Sequence, residues 1–275
     1  LFMHTWYALD IANKKTTFNF IFCKVIEIFI LSLIQGIAEF LPVSSSSHLI
    51  IISEYLKIEK SLSIDVSLHL GSFIAVIVYF YKDVLNFYKD KIIFFKIIIS
   101  SIPVMLVGII LVETNLIEKI RNIETIAWAT LIFGILLFVS DKFAVEKNIE
   151  KNFSFKSAIF IGSLQILALI PGVSRSGIAI TAARFLGFER VDSAKISFLI
   201  SIPILGAVSI FGLNNIILSE SQEFAKLNIF AIIFAFFFSL ITIKYFLKYL
   251  NKFSLNIFVY YRVLLSIFLL ALAYL

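Results

Sequence analysis

Two short polar segments hold the residues that could do chemistry: Pro42-Val43-Ser44-Ser45-Ser46-Ser47-His48 and Pro171-Gly172-Val173-Ser174-Arg175-Ser176-Gly177. Each interrupts an apolar run, and polar groups at membrane depth are expensive unless they are used. Gln35 and Glu39 stand four residues apart, so a helix leading to Pro42 puts both on one face, which Ser32 and Gly36 extend. Ser44, Ser45 and Ser46 fall at the start of the next helix, where free N–H groups and hydroxyls suit an anion, phosphate above all. In the second segment Ser174 and Ser176 flank Arg175, a bidentate fork for phosphate oxygens, and Thr181 follows further on. A hydroxyl, the His48 imidazole, a carboxylate and a guanidinium make a phosphoryl-handling set. Walker, HExxH, paired CxxC and Rossmann patterns are absent from the sequence.

Plainer roles compete for some of these residues. Serines at helix starts are often only caps. His69, inside an apolar run, reads as packing or as a supporting hydrogen bond. Arg262, early in the last apolar run, reads as a side chain snorkelling to the interface. The single cysteine, Cys23, reads as a small buried hydrophobe and excludes an internal disulfide framework.

The chain is 60% hydrophobic and 15% charged, which makes it a polytopic membrane protein. Residues 1–19 read as a polar extension without the layout of a signal peptide. Six stretches are long and apolar enough to span: about 65–81, 92–112, 123–140, 193–213, 227–249 and 255–275. Two others, about 25–41 and 159–170, stop at Pro42 and Pro171 and resume as short helices at about 46–57 and 176–188. Twelve residues reach about 18 Å, short of a hydrocarbon core of roughly 30 Å. The expected fold is therefore all-α: six transmembrane helices plus two re-entrant helix pairs, rather than eight ordinary spans. The order is a re-entrant pair and then three spans, twice, at about 24–140 and 157–275, in one membrane domain over 20–275. Three spans is an odd number, so the second repeat enters inverted, a known way to build a midplane site. The four prolines pair between the halves in this reading, Pro42 with Pro171 and Pro103 with Pro203.

The net charge of +6 reflects topology rather than nucleic-acid binding. The stretches 82–96, 142–156, 184–195 and 244–252 hold 14 of the 24 Lys and Arg, against three in 113–124 and 214–226. By the positive-inside rule the first four face the cytoplasm and both termini face outward. The first re-entrant pair then opens to the outside.

The run Gln35-Gly36-Ile37-Ala38-Glu39-Phe40-Leu41-Pro42 with the serines and His48 resembles the first signature of the undecaprenyl-diphosphatase family, the bacitracin-resistance phosphatases. The segment from Pro171 to Gly177, running on to Thr181, resembles the second; His69-Leu70-Gly71 and Ser201-Ile202-Pro203 extend the match over about 24–275. The resemblance implies hydrolysis of undecaprenyl diphosphate to the monophosphate at the outer face of the bacterial plasma membrane. That reaction recycles the lipid carrier for peptidoglycan and confers bacitracin resistance. It implies Glu39, Ser45, His48 and Arg175 as catalytic residues and Ser174, Ser176 and Thr181 as phosphate contacts. Gln35 stands where many members have glutamate; the signature permits either, but an amide is a weak ligand for Mg²⁺. The expected mechanism has Arg175 clamp the diphosphate, Ser45 attack or position water, and His48 carry the proton. Glu39 orients His48 or helps hold a divalent cation, Mg²⁺ or Ca²⁺. The competing function is a polyprenyl-phosphate transporter, since inverted repeats with midplane anion sites also suit carriers. The expected partners are the polyprenyl diphosphate lipid and the bilayer, with a homodimer as one open assembly.

Overall fold

The computed structural model describes residues 23–58, 61–114, 120–143, 147–217 and 222–274. The polar extension at 1–19 lies outside them. Ten main helices follow in order: α1 (23–38), α2 (Ser45–Tyr55), α3 (Leu62–Tyr79), α4 (Lys91–Glu113), α5 (Ile123–Asp141), α6 (Phe155–Gln165), α7 (Arg175–Phe185), α8 (Arg190–Ile217), α9 (Gln222–Leu250) and α10 (Asn256–Tyr274). A 3₁₀ turn, Ile166–Leu169, extends α6 toward the second break. Within α3, α4, α5, α8, α9 and α10 lie six segments long and apolar enough to cross a membrane. Two short helices, then three spans, is an order that occurs twice.

Contacts at the two ends show which helix ends lie together. At one end Lys195 Nζ is 2.7 Å from Asp83, Arg190 forks onto Asp141, and Lys147 N donates to the Gly187 carbonyl at 3.0 Å. Leu250 and Asn251 line the same cavity as Asp141 and Arg190, so the four basic stretches gather at this end. At the other end the Tyr274 hydroxyl donates to Glu124, and Trp128 Nε1 donates to that hydroxyl at 3.4 Å. The short pairs approach from opposite ends. In α2, Ile50 is buried with Ile126, Ala127 and Leu269, toward the Glu124 end. In α7, Arg184 reaches Asp141 at the basic end.

Helix contact without Cβ atoms seats both pairs. A Cβ on Gly36 of α1 would lie 2.4 Å from the Phe238 Cβ of α9, and one on Gly162 of α6 would lie 2.4 Å from the Ser100 carbonyl of α4. Either substitution must push backbone or core apart. Ser32 Oγ donates to the Ala231 carbonyl of α9 at 3.4 Å, so Ser32 and Gly36 serve this packing rather than the polar face.

Two expectations need correction. Pro103 lies in α4, the second span of its half, whereas Pro203 lies in α8, the first of its half. They are not equivalent positions; the two segments meet instead. Ser101 Oγ donates to the Ile97 carbonyl in its own helix (3.0 Å) and to the Ile200 carbonyl of α8 (3.2 Å). Cys23 is exposed at the start of α1, because only part of that short helix faces protein.

Candidate active site

Both breaks use the same backbone device. Ser44, the residue before α2, has φ 75°, and Ser174, the residue before α7, has φ 70°. Positive φ at a non-glycine residue is strained by about 1–3 kcal/mol and persists only where surroundings enforce it. The equivalence of these two residues sets the register between breaks: Val43-Ser44-Ser45-Ser46 lies against Val173-Ser174-Arg175-Ser176, with Gly172 (φ 101°) as the extra residue. Ser45 and Arg175 therefore occupy the same position, each opening a short helix. Ser174 Oγ accepts from Gly177 N at 3.1 Å and caps α7. Ser174→Ala is expected to lower unfolding stability by about 1–2 kcal/mol, while Ser174→Gly, which loses the cap but relieves the φ strain, falls by only a few tenths. Thermal unfolding of the purified protein in one detergent checks this ordering.

One buried cation ties the breaks together. Arg262, expected at the interface, is instead fully enclosed, with 0% exposure. Its Nε donates to the Thr130 carbonyl (3.1 Å), Nη1 to those of Pro42 (3.2 Å) and Val173 (3.0 Å), and Nη2 to that of Gly172 (2.9 Å). Carbonyls left free by the two interrupted helices find their donor here. Ser176 Oγ adds a second tie, donating to the Leu41 carbonyl at 2.7 Å.

Held this way, the two helix starts meet at Glu39. Ser45 Oγ donates to Glu39 Oε2 at 2.7 Å, and Gln35 Nε2 donates to the same oxygen at 3.1 Å. Arg175 Nη2, from the other break, donates to Glu39 Oε1. The Arg175 and Glu39 side chains are only 16% and 5% exposed, so this is a largely dry ion pair. Arg175 Nη1 and Gln35 Oε1 are buried without hydrogen-bond partners. Glu39 lies in the break, outside the six spans. Burial pushes its carboxyl up, but Arg175, then His69 and the Ser45 hydroxyl, outweigh that and hold it below its ordinary value. His69 belongs to this network through a 3.0 Å contact between its Nδ1 and Gln35 Nε2, the supporting hydrogen bond anticipated for it.

His48, one turn along α2 from Ser45, turns its two ring nitrogens to other partners. Its Nδ1 lies 2.6 Å from the Ser44 carbonyl, which can only accept, so Nδ1 carries a proton. Its Nε2 meets the Tyr261 hydroxyl, which donates to it when the ring is neutral, and the two rings stack. Glu39 thus orients Ser45 and Arg175 rather than His48. Tyr261 and Arg262 were missed as parts of the site; their adjacent positions in an apolar run resemble an interfacial pair, and only the fold turns one inward. The remaining candidates are placed as follows. Ser46 is exposed at the mouth of the first break. Ser44 Oγ pairs with Ser47 Oγ at 2.9 Å, and Ser174 Oγ with Ser176 Oγ at 3.2 Å. The Thr181 hydroxyl donates to the Gly177 carbonyl of its own helix at 2.8 Å, one turn back toward the break. Among the described residues no group of three His, Cys, Asp or Glu is placed to hold a metal ion.

Two convergent helix starts, a hydroxyl on a carboxylate, and a guanidinium with a free nitrogen can bind an anion and move a proton from oxygen. The protein-family model described as bacitracin resistance protein BacA matches residues 28–268. An undecaprenyl-diphosphatase of Pelagibacter ubique (strain HTCC1062) is 48% identical over 255 residues, covering 92% of this chain and 99% of the relative. Proteins of the same name from Jannaschia sp. (strain CCS1) and Teredinibacter turnerae (strain ATCC 39867 / T7901) are 37% and 38% identical. These alignments cover 91% and 89% of this chain and 99% and 98% of the relatives. With the match running through both breaks and all six spans, the chain belongs to the bacitracin resistance protein BacA family.

Proposed function

We propose that this chain hydrolyses undecaprenyl diphosphate to undecaprenyl phosphate and phosphate, as the names of its relatives say of them, and so regenerates the lipid carrier for peptidoglycan synthesis. The observation that carries the chemistry is Glu39, bound at once by Ser45 of one break and Arg175 of the other. In this reading a diphosphate oxygen takes up Arg175 Nη1 and draws the guanidinium from Glu39. Without that counter-charge Glu39 becomes a stronger base. Ser45 Oγ attacks the terminal phosphorus, or positions the water that does, and its proton passes to Glu39 Oε2. The bond from that phosphorus to the bridging oxygen breaks, and undecaprenyl phosphate leaves with the electron pair; where Ser45 itself has attacked, water then displaces phosphate from the phosphoserine and the Ser45 oxygen regains a proton. Free N–H groups at the starts of α2 and α7, with the exposed Ser46 beside them, meet charge on the equatorial oxygens, while Ser44, Ser174 and Ser176 hold the two breaks in shape around the headgroup. His48, once Tyr261 swings aside, serves the water or the departing phosphate. The pair α1–α2 opens toward the end with fewer basic residues, so the headgroup enters from the outer side while its tail stays in lipid.

A divalent cation fits this donor set only as a companion of the diphosphate. Glu39 would hold it, with the unpartnered Gln35 Oε1 as a weak second donor, since such cations often bind through one or two carboxylates and substrate phosphates. Bound there, it would neutralise charge on the phosphates. The test is phosphate release from a polyprenyl diphosphate by purified protein in vesicles, with and without chelator. Chelation is expected to remove most turnover, and Mg²⁺ or Ca²⁺ to restore it. Gln35→Glu should lower the cation concentration that gives half-maximal rate. Protein that moves the lipid across the bilayer yet releases no phosphate under any cation condition would replace the phosphatase reading with the transporter.

A further inference from the structure

A second polar feature lies at the basic end, about 14 Å along α7 from Arg175. It is an open cavity of about 630 Å³, where α5 and α9 end and α8 and α10 begin. We propose that it is a binding site for the headgroup of an anionic phospholipid, distinct from the site at the breaks and independent of the reaction proposed there.

The charge of the lining carries the argument. Lys142, Arg184 and Arg190 line the cavity with two carboxylates, Asp141 and Glu189. Asp141 is already spent within the protein. Its Oδ1 and Oδ2 take Arg190 Nε (2.7 Å) and Nη2 (3.0 Å), and Oδ2 also accepts from Leu255 N (3.2 Å). Arg184 is 6% exposed, and its Nη atoms hold the carbonyls of Phe188, Asp141 and Phe143. Its Nε, 3.4 Å from Asp141 Oδ1, is buried without a hydrogen-bond partner. A donor of this kind needs an acceptor, and a cavity wall is where one can arrive. Lys142 is exposed, with its ammonium 4.1 Å from the centre of the Phe138 ring, which holds it against the wall. The cavity is thus a net cationic pocket with neutral donors at Asn251 and Asn256.

Depth and size choose a lipid over a free anion. The helix ends around the cavity are where spans leave the apolar layer, so it lies at headgroup level. Phe143 and Phe253, both more than half exposed, stand on the loops beside it as interfacial side chains do. The volume falls within the range of small-ligand pockets and far exceeds one phosphate ion. With three cations against two carboxylates, both arginines already beside Asp141 and Lys142 unpaired with any carboxylate in the lining, the excess charge is positive, so the site favours a net anionic headgroup such as that of phosphatidylglycerol over a zwitterionic one.

The test uses full-length protein in vesicles of phosphatidylcholine with one fifth phosphatidylglycerol. Lipid retained after mild extraction is counted by native mass spectrometry. Wild type should retain phosphatidylglycerol well above its share of the vesicle. Lys142→Gln and Asn251→Asp, both exposed and clear of the breaks, should each weaken that retention about fivefold, with phosphate release in pure phosphatidylcholine unchanged. Equal retention by wild type and both variants, or no preference for phosphatidylglycerol in wild type, overturns the proposal. So does full displacement of the retained lipid by millimolar inorganic phosphate, which would make this a site for the free anion. Thermal unfolding of each variant near the wild-type temperature shows that any loss reads the site and not the fold.

Discussion

Glu39→Gln should reduce phosphate release by about 10²- to 10⁴-fold, the usual worth of a positioned proton acceptor. Glutamine keeps the shape and can still accept a hydrogen bond from Ser45, which sits 2.7 Å from the carboxylate. It cannot take the proton, and it cannot pair with Arg175. Loss of that pair frees the guanidinium, so binding of the diphosphate lipid should be kept or tightened while turnover collapses. The two quantities are measured on the same reconstituted samples. Near-normal turnover in a folded Glu39→Gln protein would remove Glu39 from the reaction. A deeper loss in His48→Ala than in Glu39→Gln would move the role of base to His48, despite its engagement with Ser44 and Tyr261.

Arg262→Leu should be the most destabilising single change in the described part of the chain. It strips the donor from the carbonyls of Pro42 and Val173 and removes one donor each from those of Thr130, which lies within α5, and Gly172, which keeps the Thr130 hydroxyl. A buried acceptor left unpaired costs about 1–3 kcal/mol, and whole domains are stable by only about 5–15 kcal/mol. The variant should unfold tens of degrees early or fail to accumulate. Arg262→Lys keeps the charge but not the planar fork, so it should fold less stably and let the breaks drift, with turnover falling further than lipid binding. Thermal unfolding followed by phosphate release on the surviving protein checks both. A Leu variant with wild-type melting and turnover would show that the breaks hold without this staple.

Spans, breaks and chemical inventory are legible in the residues alone. Apolar length is a local property, so all six spans fell within a few residues of the helices found. Proline and serine punctuation marked both breaks, because a chain cannot continue a helix through Pro42-Val43-Ser44 or Pro171-Gly172-Val173-Ser174 without losing donors. Glu39, Ser45 and Arg175 were also legible, since few structural uses explain such groups in an apolar setting. Which of them touch depends on packing between distant segments. Ser45 to Glu39 spans six residues around a break whose left-handed Ser44 no periodicity predicts, and Arg175 reaches Glu39 across 136 residues. The sequence paired Pro103 with Pro203 by their neighbours, but helix order makes them partners in contact rather than equivalents. Arg262 is the clearest case. About two turns inside an apolar run, it has the local pattern of a snorkelling side chain, and nothing within its helix distinguishes lipid from protein on a given face. The carbonyls that keep it buried come from three distant segments, and only packing brings unpaired acceptors to a donor.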